Sequence, residues 1–190
     1  MELSTTDRPM RGERLPLATG PVAALPQDGG ALDPLTLAKL WSNPCWFSFR
    51  INYLSNHFNV PVYGYIERRY GLLRPEFVVL FSTGLSEGVS ASSIVVSSGF
   101  PKNTISRAIQ KLLRRKIVKR ATDEDDGRRF QLRLTKLGRQ IFDEMMPIMC
   151  AREDTMLAAL SPSEQKTLSN LLAKMVMNSP DWQNEIQEEG

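Results

Sequence analysis

A mainly α-helical chain carrying one small β-hairpin is the fold class that this sequence predicts, and three observations point to it. Ile105, Ala108, Ile109, Leu112, Leu113 and Ile117 recur at the spacing of one apolar stripe on an α-helix. Two short segments follow, Val118 to Ala121 and Arg128 to Leu134. The second alternates Phe130, Leu132 and Leu134 with Arg129, Gln131 and Arg133, the period of a half-buried strand. Between them, Asp123-Glu124-Asp125-Asp126-Gly127 reads as a turn, with Gly127 free to take positive φ.

Taken in order, residues 1–33 are rich in Pro, Gly and small residues, show no sustained period, and read as a disordered arm. Residues 34–43 predict a short helix ending near Pro44. A helical pattern resumes from Pro44 to Tyr70 through Phe47, Ile51, Leu54, Phe58, Tyr65 and Ile66. Pro61 is expected to kink or break it, because proline removes a ladder donor and clashes with the preceding turn. Arg74-Pro75 opens the next helix, with proline in its first turn, and Gly84 marks its expected end.

Ser90 suits the N-cap of a short helix that Gly99 closes in the left-handed conformation. Pro101 can then stand in the first turn of the amphipathic helix. Two helices joined by a tight, glycine-containing turn form a helix-turn-helix, and the hairpin straight after it is a wing. Val89 is a candidate for the small third strand that completes such a sheet. After the wing, Thr135 can cap a long helix in which Pro147 is expected to make a kink. Ser161-Pro162-Ser163-Glu164 is a capping box with proline at its first helical position. The last helix carries Leu168, Leu171, Leu172, Met175 and Val176 on one face, and the acidic end from Asp181 should fray.

Composition narrows the function classes. Hydrophobic content of 42% and charged content of 24% are ordinary for a soluble globular protein of 190 residues. No apolar run approaches the ~20 residues of a membrane span, and no secretory leader is visible, so a cytoplasmic protein is expected. Two distant cysteines make no disulfide framework. One histidine and no Cys/His cluster disfavour a metal site, and no nucleophile–base pair, phosphate loop or cofactor motif points to an enzyme. The net charge of +3 conceals an asymmetry: residues 101–139 hold thirteen Lys/Arg and four Asp/Glu, against eleven and seventeen elsewhere. Positive charge thus gathers on the helix and hairpin, the electrostatic footprint of a DNA-binding surface.

Asp126-Gly-Arg128-Arg-Phe-Gln-Leu132-Arg-Leu134-Thr135-Lys-Leu-Gly138 resembles the D-x-R-x-x-x-L-x-L-T-x-x-G wing signature of the MarR family of bacterial transcription regulators. Thr104-Ile-Ser-Arg107 and the spacing to Ile117-Val-Lys-Arg120 resemble that family's recognition helix and its exit. The likeness covers roughly residues 44–178. It implies a winged helix-turn-helix flanked by N- and C-terminal dimerisation helices. The corresponding organisation is an arm over 1–33, N-terminal dimerisation helices over 34–73, a DNA-binding domain over 74–137, C-terminal dimerisation helices over 138–178 and a tail over 179–190.

The resemblance implies a homodimer that presents two recognition helices to successive major grooves of a roughly palindromic operator. Lys102, Asn103, Ser106 and Arg107 stand where base edges are read, with Lys111 near the boundary of that face. Ser92 and Ser93, at the start of the preceding helix, are suited to phosphate. Arg128 matches the family arginine that enters the minor groove, and Arg129 is a further phosphate candidate. Asp126 matches the aspartate that braces the wing, with Arg120 as its expected partner.

Family members commonly release DNA on binding a small phenolic ligand. Trp46, Arg50 and Tyr53 lie in the segment that would line such a pocket, with Arg50 suited to a carboxylate. Some members instead sense peroxide through a cysteine in the first helix, and Asn43-Pro44-Cys45-Trp46-Phe47 resembles that segment. The alternatives are therefore a thiol-based regulator using Cys45 and a winged helix serving protein assembly without specific DNA binding.

Overall fold

The computed structural model describes residues 32–122 and 130–182. The elements are α1 (Pro34–Trp41), α2 (Trp46–Tyr70), α3 (Arg74–Leu85), α4 (Ala91–Ser98), α5 (Lys102–Arg114), β1 (Val118–Thr122), β2 (Phe130–Leu134), α6 (Lys136–Leu157) and α7 (Pro162–Asn178), with a 3-10 turn over Ser179–Asp181. This is the mainly helical architecture with a two-stranded wing that the sequence predicts. The chain divides into two units at Val60–Pro61, inside α2. Among the described residues no helix is long and apolar enough to cross a membrane.

In the first unit, Asp33 caps α1. Its carboxylate accepts from the Leu35 and Thr36 amides at 3.0 and 3.1 Å and from the Thr36 hydroxyl at 2.6 Å. Those bonds, the hydroxyl's foremost, hold its pKa below the usual aspartate value. Helix α1 ends at Trp41, two residues short of the expected Asn43, and Asn43 to Cys45 turn the chain into α2.

Neither internal proline interrupts its helix: α2 continues through Pro61 and α6 through Pro147. At Pro61 the magnitudes explain the outcome. An internal proline costs roughly 3 kcal/mol. Val62 and Ile66, one turn apart and both buried, together recover about 3–6 kcal/mol of apolar transfer, which offsets that cost.

The core of the second unit joins α3 to α5, α6 and the sheet. Helix α3 buries Phe77, Val79, Leu80 and Thr83, and the Thr83 hydroxyl donates to the Val79 carbonyl at 2.8 Å. Helix α3 ends at Leu85, next to Gly84, as expected. A Cβ on Gly84 would stand 2.2 Å from the Phe142 ring, so glycine lets α6 approach. Strands β1 and β2 pair antiparallel with Val118 opposite Leu134 and Arg120 opposite Leu132. The far edge of β2 is met by Val89, whose carbonyl accepts from the Leu132 amide at 3.0 Å, while Gly88 N–H donates to the Leu132 carbonyl at 2.9 Å. Val89 thus meets the sheet as a single isolated bridge, where the sequence suggested a small third strand.

Two predicted caps after the sheet are present. The Thr135 hydroxyl accepts from Gly138 N–H at 3.1 Å and donates to the Lys116 carbonyl at 2.7 Å. Ser161 and Glu164 bond reciprocally at the start of α7, the Ser161 amide donating to the Glu164 carboxylate at 2.8 Å. Helix α7 buries none of its residues.

Candidate nucleic-acid interface

The helix-turn-helix is α4, the turn at Gly99, and α5. Ser90 caps α4, accepting from the Ser93 amide at 3.1 Å, and its hydroxyl lies 2.8 Å from both the Ser92 and Ser93 hydroxyls. Gly99 closes α4 at φ +67°, a conformation that glycine adopts without strain. Pro101 stands just before α5 as its capping residue, one position earlier than the expected first turn, and its carbonyl accepts from the Thr104 and Ile105 amides.

The amphipathic reading of α5 holds on its inner face, where Ile105, Ala108, Ile109 and Leu112 are buried. Lys102, Asn103, Ser106 and Arg107 are all exposed on the other face, as are Ser92 and Ser93 on α4. For Lys102, Ser106 and Arg107 no polar partner appears among the described residues.

Lys111 differs from these. Its ammonium lies 3.0 Å from the carboxylate of Glu76, which is 7% exposed and also accepts from the Leu73 amide at 2.6 Å. The charge of Lys111 is therefore committed inward, to α3. The helical period assigned it to the boundary of the stripe, and only the packing of α3 against α5 decides which way it turns.

Asp126, Arg128 and Arg129 lie outside the described residues, so the proposed Arg120–Asp126 brace does too. Within the described wing, the Arg120 guanidinium stands over the Phe130 ring at 5.3 Å. Phe130 itself departs from expectation. It shares a strand face with buried Leu132 and Leu134, yet it is 57% exposed. Phe130 lies past the edge of the core and borders a cavity of about 480 Å³ between α4, α5 and the sheet. Val95, Ile105, Ile109 and Leu132 line the same cavity, with polar atoms from Lys102, Ser106, Gln110 and Arg120. Sequence reasoning missed this cleft. The one signal was Val96, an apolar residue on the outer face of α4 that is 85% exposed.

In the first unit, the expected pocket residues are otherwise engaged. The Arg50 guanidinium is stacked between Trp41 and Trp46, 4.8 Å from each ring, and its Nε donates to the Leu40 carbonyl at 2.9 Å. Arg50 Nη2 and Trp41 Nε1 are buried without a partner among the described residues. Tyr53 meets His57 edge-on at 4.2 Å. Arg50 thus clamps α1 to the start of α2, a structural task for a residue expected to meet a ligand carboxylate. Cys45 is exposed in the turn between those helices. Among the described residues no group of three or more His, Cys, Asp and Glu is disposed to hold a metal.

Residues 70–129, which run from the end of α2 through the helix-turn-helix to the wing, match the family model described as the MarR family. Over this segment the chain resembles the MarR family of winged-helix transcriptional regulators. That family is one of regulators rather than enzymes. The chain is 27% identical over 109 residues to an uncharacterized HTH-type transcriptional regulator, YwaE, of Bacillus subtilis, covering 57% of this chain and 64% of YwaE. It thus spans just under two thirds of YwaE's length. It is 25% identical over 105 residues to the transcriptional regulator HosA of Escherichia coli, covering 55% of this chain and 78% of HosA. In fold it resembles a MarR family regulator from Listeria monocytogenes solved with a 26mer DNA, at TM-score 0.65 and 16% identity, over 74% of this chain and 96% of that one.

The MarR wing signature acquires physical reasons in this structure. Leu132 and Leu134 fill the core, Thr135 ties the start of α6 to the Lys116 carbonyl, and Gly138 leaves room for a backbone group. A Cβ on Gly138 would stand 2.1 Å from the Ile117 carbonyl oxygen. The second half of the signature therefore seats α6 on the wing.

Proposed function

We propose that this MarR-like protein acts in the cytoplasm as a homodimeric repressor or activator that reads a roughly palindromic operator. The observation that carries the reading is the division of α5: its apolar face is buried, while Lys102, Asn103, Ser106 and Arg107 are presented to solvent along the helix start. These are the side chains suited to base edges in a major groove, Asn to adenine and Arg to guanine. Ser92 and Ser93 contact phosphate, while Arg128 from the wing enters the minor groove and Arg129 flanks it. The solution of the Listeria relative with DNA supports this reading. Dimerisation is supported by apolar surface left exposed among the described residues, including Leu171 and Val176 on α7 and Ile51 and Leu54 on α2.

Release by a small aromatic acid belongs to the same reading. The cleft beside α5 supports it better than the Arg50 segment does. Its 480 Å³ lies within the size range of small-molecule sites, roughly 300–1,000 Å³. Lys102 and Ser106 border it, so an occupant would compete with DNA.

Fluorescence anisotropy on the chain's own upstream promoter fragment, with a scrambled control and across salt, tests the proposal. Preference for the promoter, a steep salt dependence and weakening by Arg128→Ala are expected. Equal, weak binding to both DNAs, indifferent to Arg128→Ala, would instead favour a winged helix used for protein assembly. Release by peroxide but not by phenolic acids, abolished in Cys45→Ser, would favour the thiol-based reading.

A further inference from the structure

Two basic residues one turn apart at the end of α5, Lys111 and the capping residue Arg115, grip a single corner of the fold. Helix α2 ends at Tyr70, and Gly71 closes it at φ +62°. The last carbonyls of a helix have no partner within it and lie at its negative dipole end. Here Arg115 supplies donors to two carbonyls at that end: its Nη2 donates to the Tyr70 carbonyl at 2.6 Å and its Nη1 to the Gly71 carbonyl, just past the helix, at 3.0 Å. One turn earlier on α5, Lys111 meets buried Glu76 at 3.0 Å in the first turn of α3. Tyr70 is tied a third way, because its hydroxyl donates to the Glu144 carboxylate on α6, which also accepts from Gln140 at 2.9 Å.

We propose that Lys111 and Arg115 are positioning residues of DNA recognition, a latch that sets the angle of α5 on the α2–α3 corner without touching phosphate. This rests on the DNA-binding reading above. The latch holds the rear of α5, while the groove-facing side chains lie at its front. From Arg115 to Asn103 the helix spans about 18 Å, so a tilt of about 5° moves the front by roughly 1.6 Å. That is enough to break bidentate base contacts, whereas a flexible contact to phosphate tolerates it. A guanidinium fork meets two carbonyls at once; an ammonium is a single point charge on a flexible stem and does not reproduce that grip.

The test compares wild type, Arg115→Ala and Arg115→Lys by anisotropy on the promoter fragment and on scrambled DNA across salt, with circular dichroism confirming the fold. Arg115 is exposed and makes its bonds at the surface, so Arg115→Lys is expected to fold. A latch predicts that both variants lose about tenfold or more on the promoter. Binding to scrambled DNA and the slope of log affinity against log salt should stay unchanged. A phosphate contact predicts the opposite: loss on both DNAs in Arg115→Ala, a slope reduced by about 0.9 per contact or roughly 1.8 per dimer, and rescue by Arg115→Lys. That result, or no change in either variant, overturns the proposal. Wild type failing to prefer the promoter is a separate outcome that overturns the DNA-binding reading itself and the latch with it.

Discussion

Gly138→Ala should destabilise this protein markedly, although it replaces glycine inside an α-helix. On helix propensity alone the change stabilises by about 1 kcal/mol. The new Cβ, however, would stand 2.1 Å from the Ile117 carbonyl oxygen and 3.2 Å from a Leu134 methyl. An ordinary van der Waals contact is roughly 3.4 Å or more, so the start of α6 and the strand entry must separate by more than 1 Å. The oxygen cannot rotate away, since it is backbone and already accepts from the Thr135 amide at 3.0 Å and the Thr135 hydroxyl at 3.1 Å. Overpacking against so fixed a group costs about 3 kcal/mol or more, leaving a net loss of roughly 2 kcal/mol after the propensity gain. For a chain of this size that lowers Tm by about 4–8 °C. Thermal and urea unfolding of the variant provide the measurement. Gly64→Ala in α2 is the matched control, because its Cβ meets only the flexible end of Arg68 at 3.2 Å, and it should be neutral or stabilising by up to ~1 kcal/mol. An unchanged or raised Tm for Gly138→Ala would refute the claim that this signature glycine is required by close backbone approach.

Three further outcomes are expected. Lys111→Met should cost about 1–2 kcal/mol by leaving Glu76 without its charged partner, and Glu76→Gln in the same chain should recover part of that loss in urea unfolding. Ser161→Ala should cost about 1 kcal/mol by removing the cap of α7. The Ser161 bonds lower the Glu164 pKa, so the proton is bound more weakly in the folded state. The Glu164 contribution is then present above the ordinary glutamate pKa and lost as pH falls through its lowered folded pKa, which amide exchange in the first turn of α7 should report. Tyr70 titrates in the other direction. Burial, then its bond to the Glu144 carboxylate, raises its pKa to about 12. The folded state thus holds this proton more tightly. Its contribution is complete below pH 10 and is lost as pH rises towards 12, a limb of the alkaline unfolding profile that Tyr70→Phe should remove.

Much of the recognition unit was legible because its signals are local. Ser90, Gly99, Thr135 and the Ser161–Glu164 box act on residues within four positions of themselves, and the stripe on α5 is a property of one helix. Side chains read as DNA-facing by that period divide into two groups. Lys102, Asn103, Ser106 and Arg107 remain outward, while Lys111 turns to a partner 35 residues away in sequence. Arg50, suited by its charge to a carboxylate, is met in the structure by the Leu40 carbonyl and two indole faces brought by α1.

The sequence by itself determined the class of the fold, the order of its elements, the caps that start and stop them, and the likeness of its recognition unit to the MarR family. Periodicity, capping and signature spacing are written in neighbouring residues. Tertiary structure alone decided that α2 and α6 persist through Pro61 and Pro147. It also decided that Gly84 and Gly138 admit close packing, that Phe130 borders an open cleft, and that Lys111 and Arg115 hold the recognition helix from behind. The physical reason is common to all four. Each depends on what lies across a contact from a residue distant in sequence, and a proline's cost, a glycine's missing Cβ or a lysine's direction is settled only once that neighbour arrives.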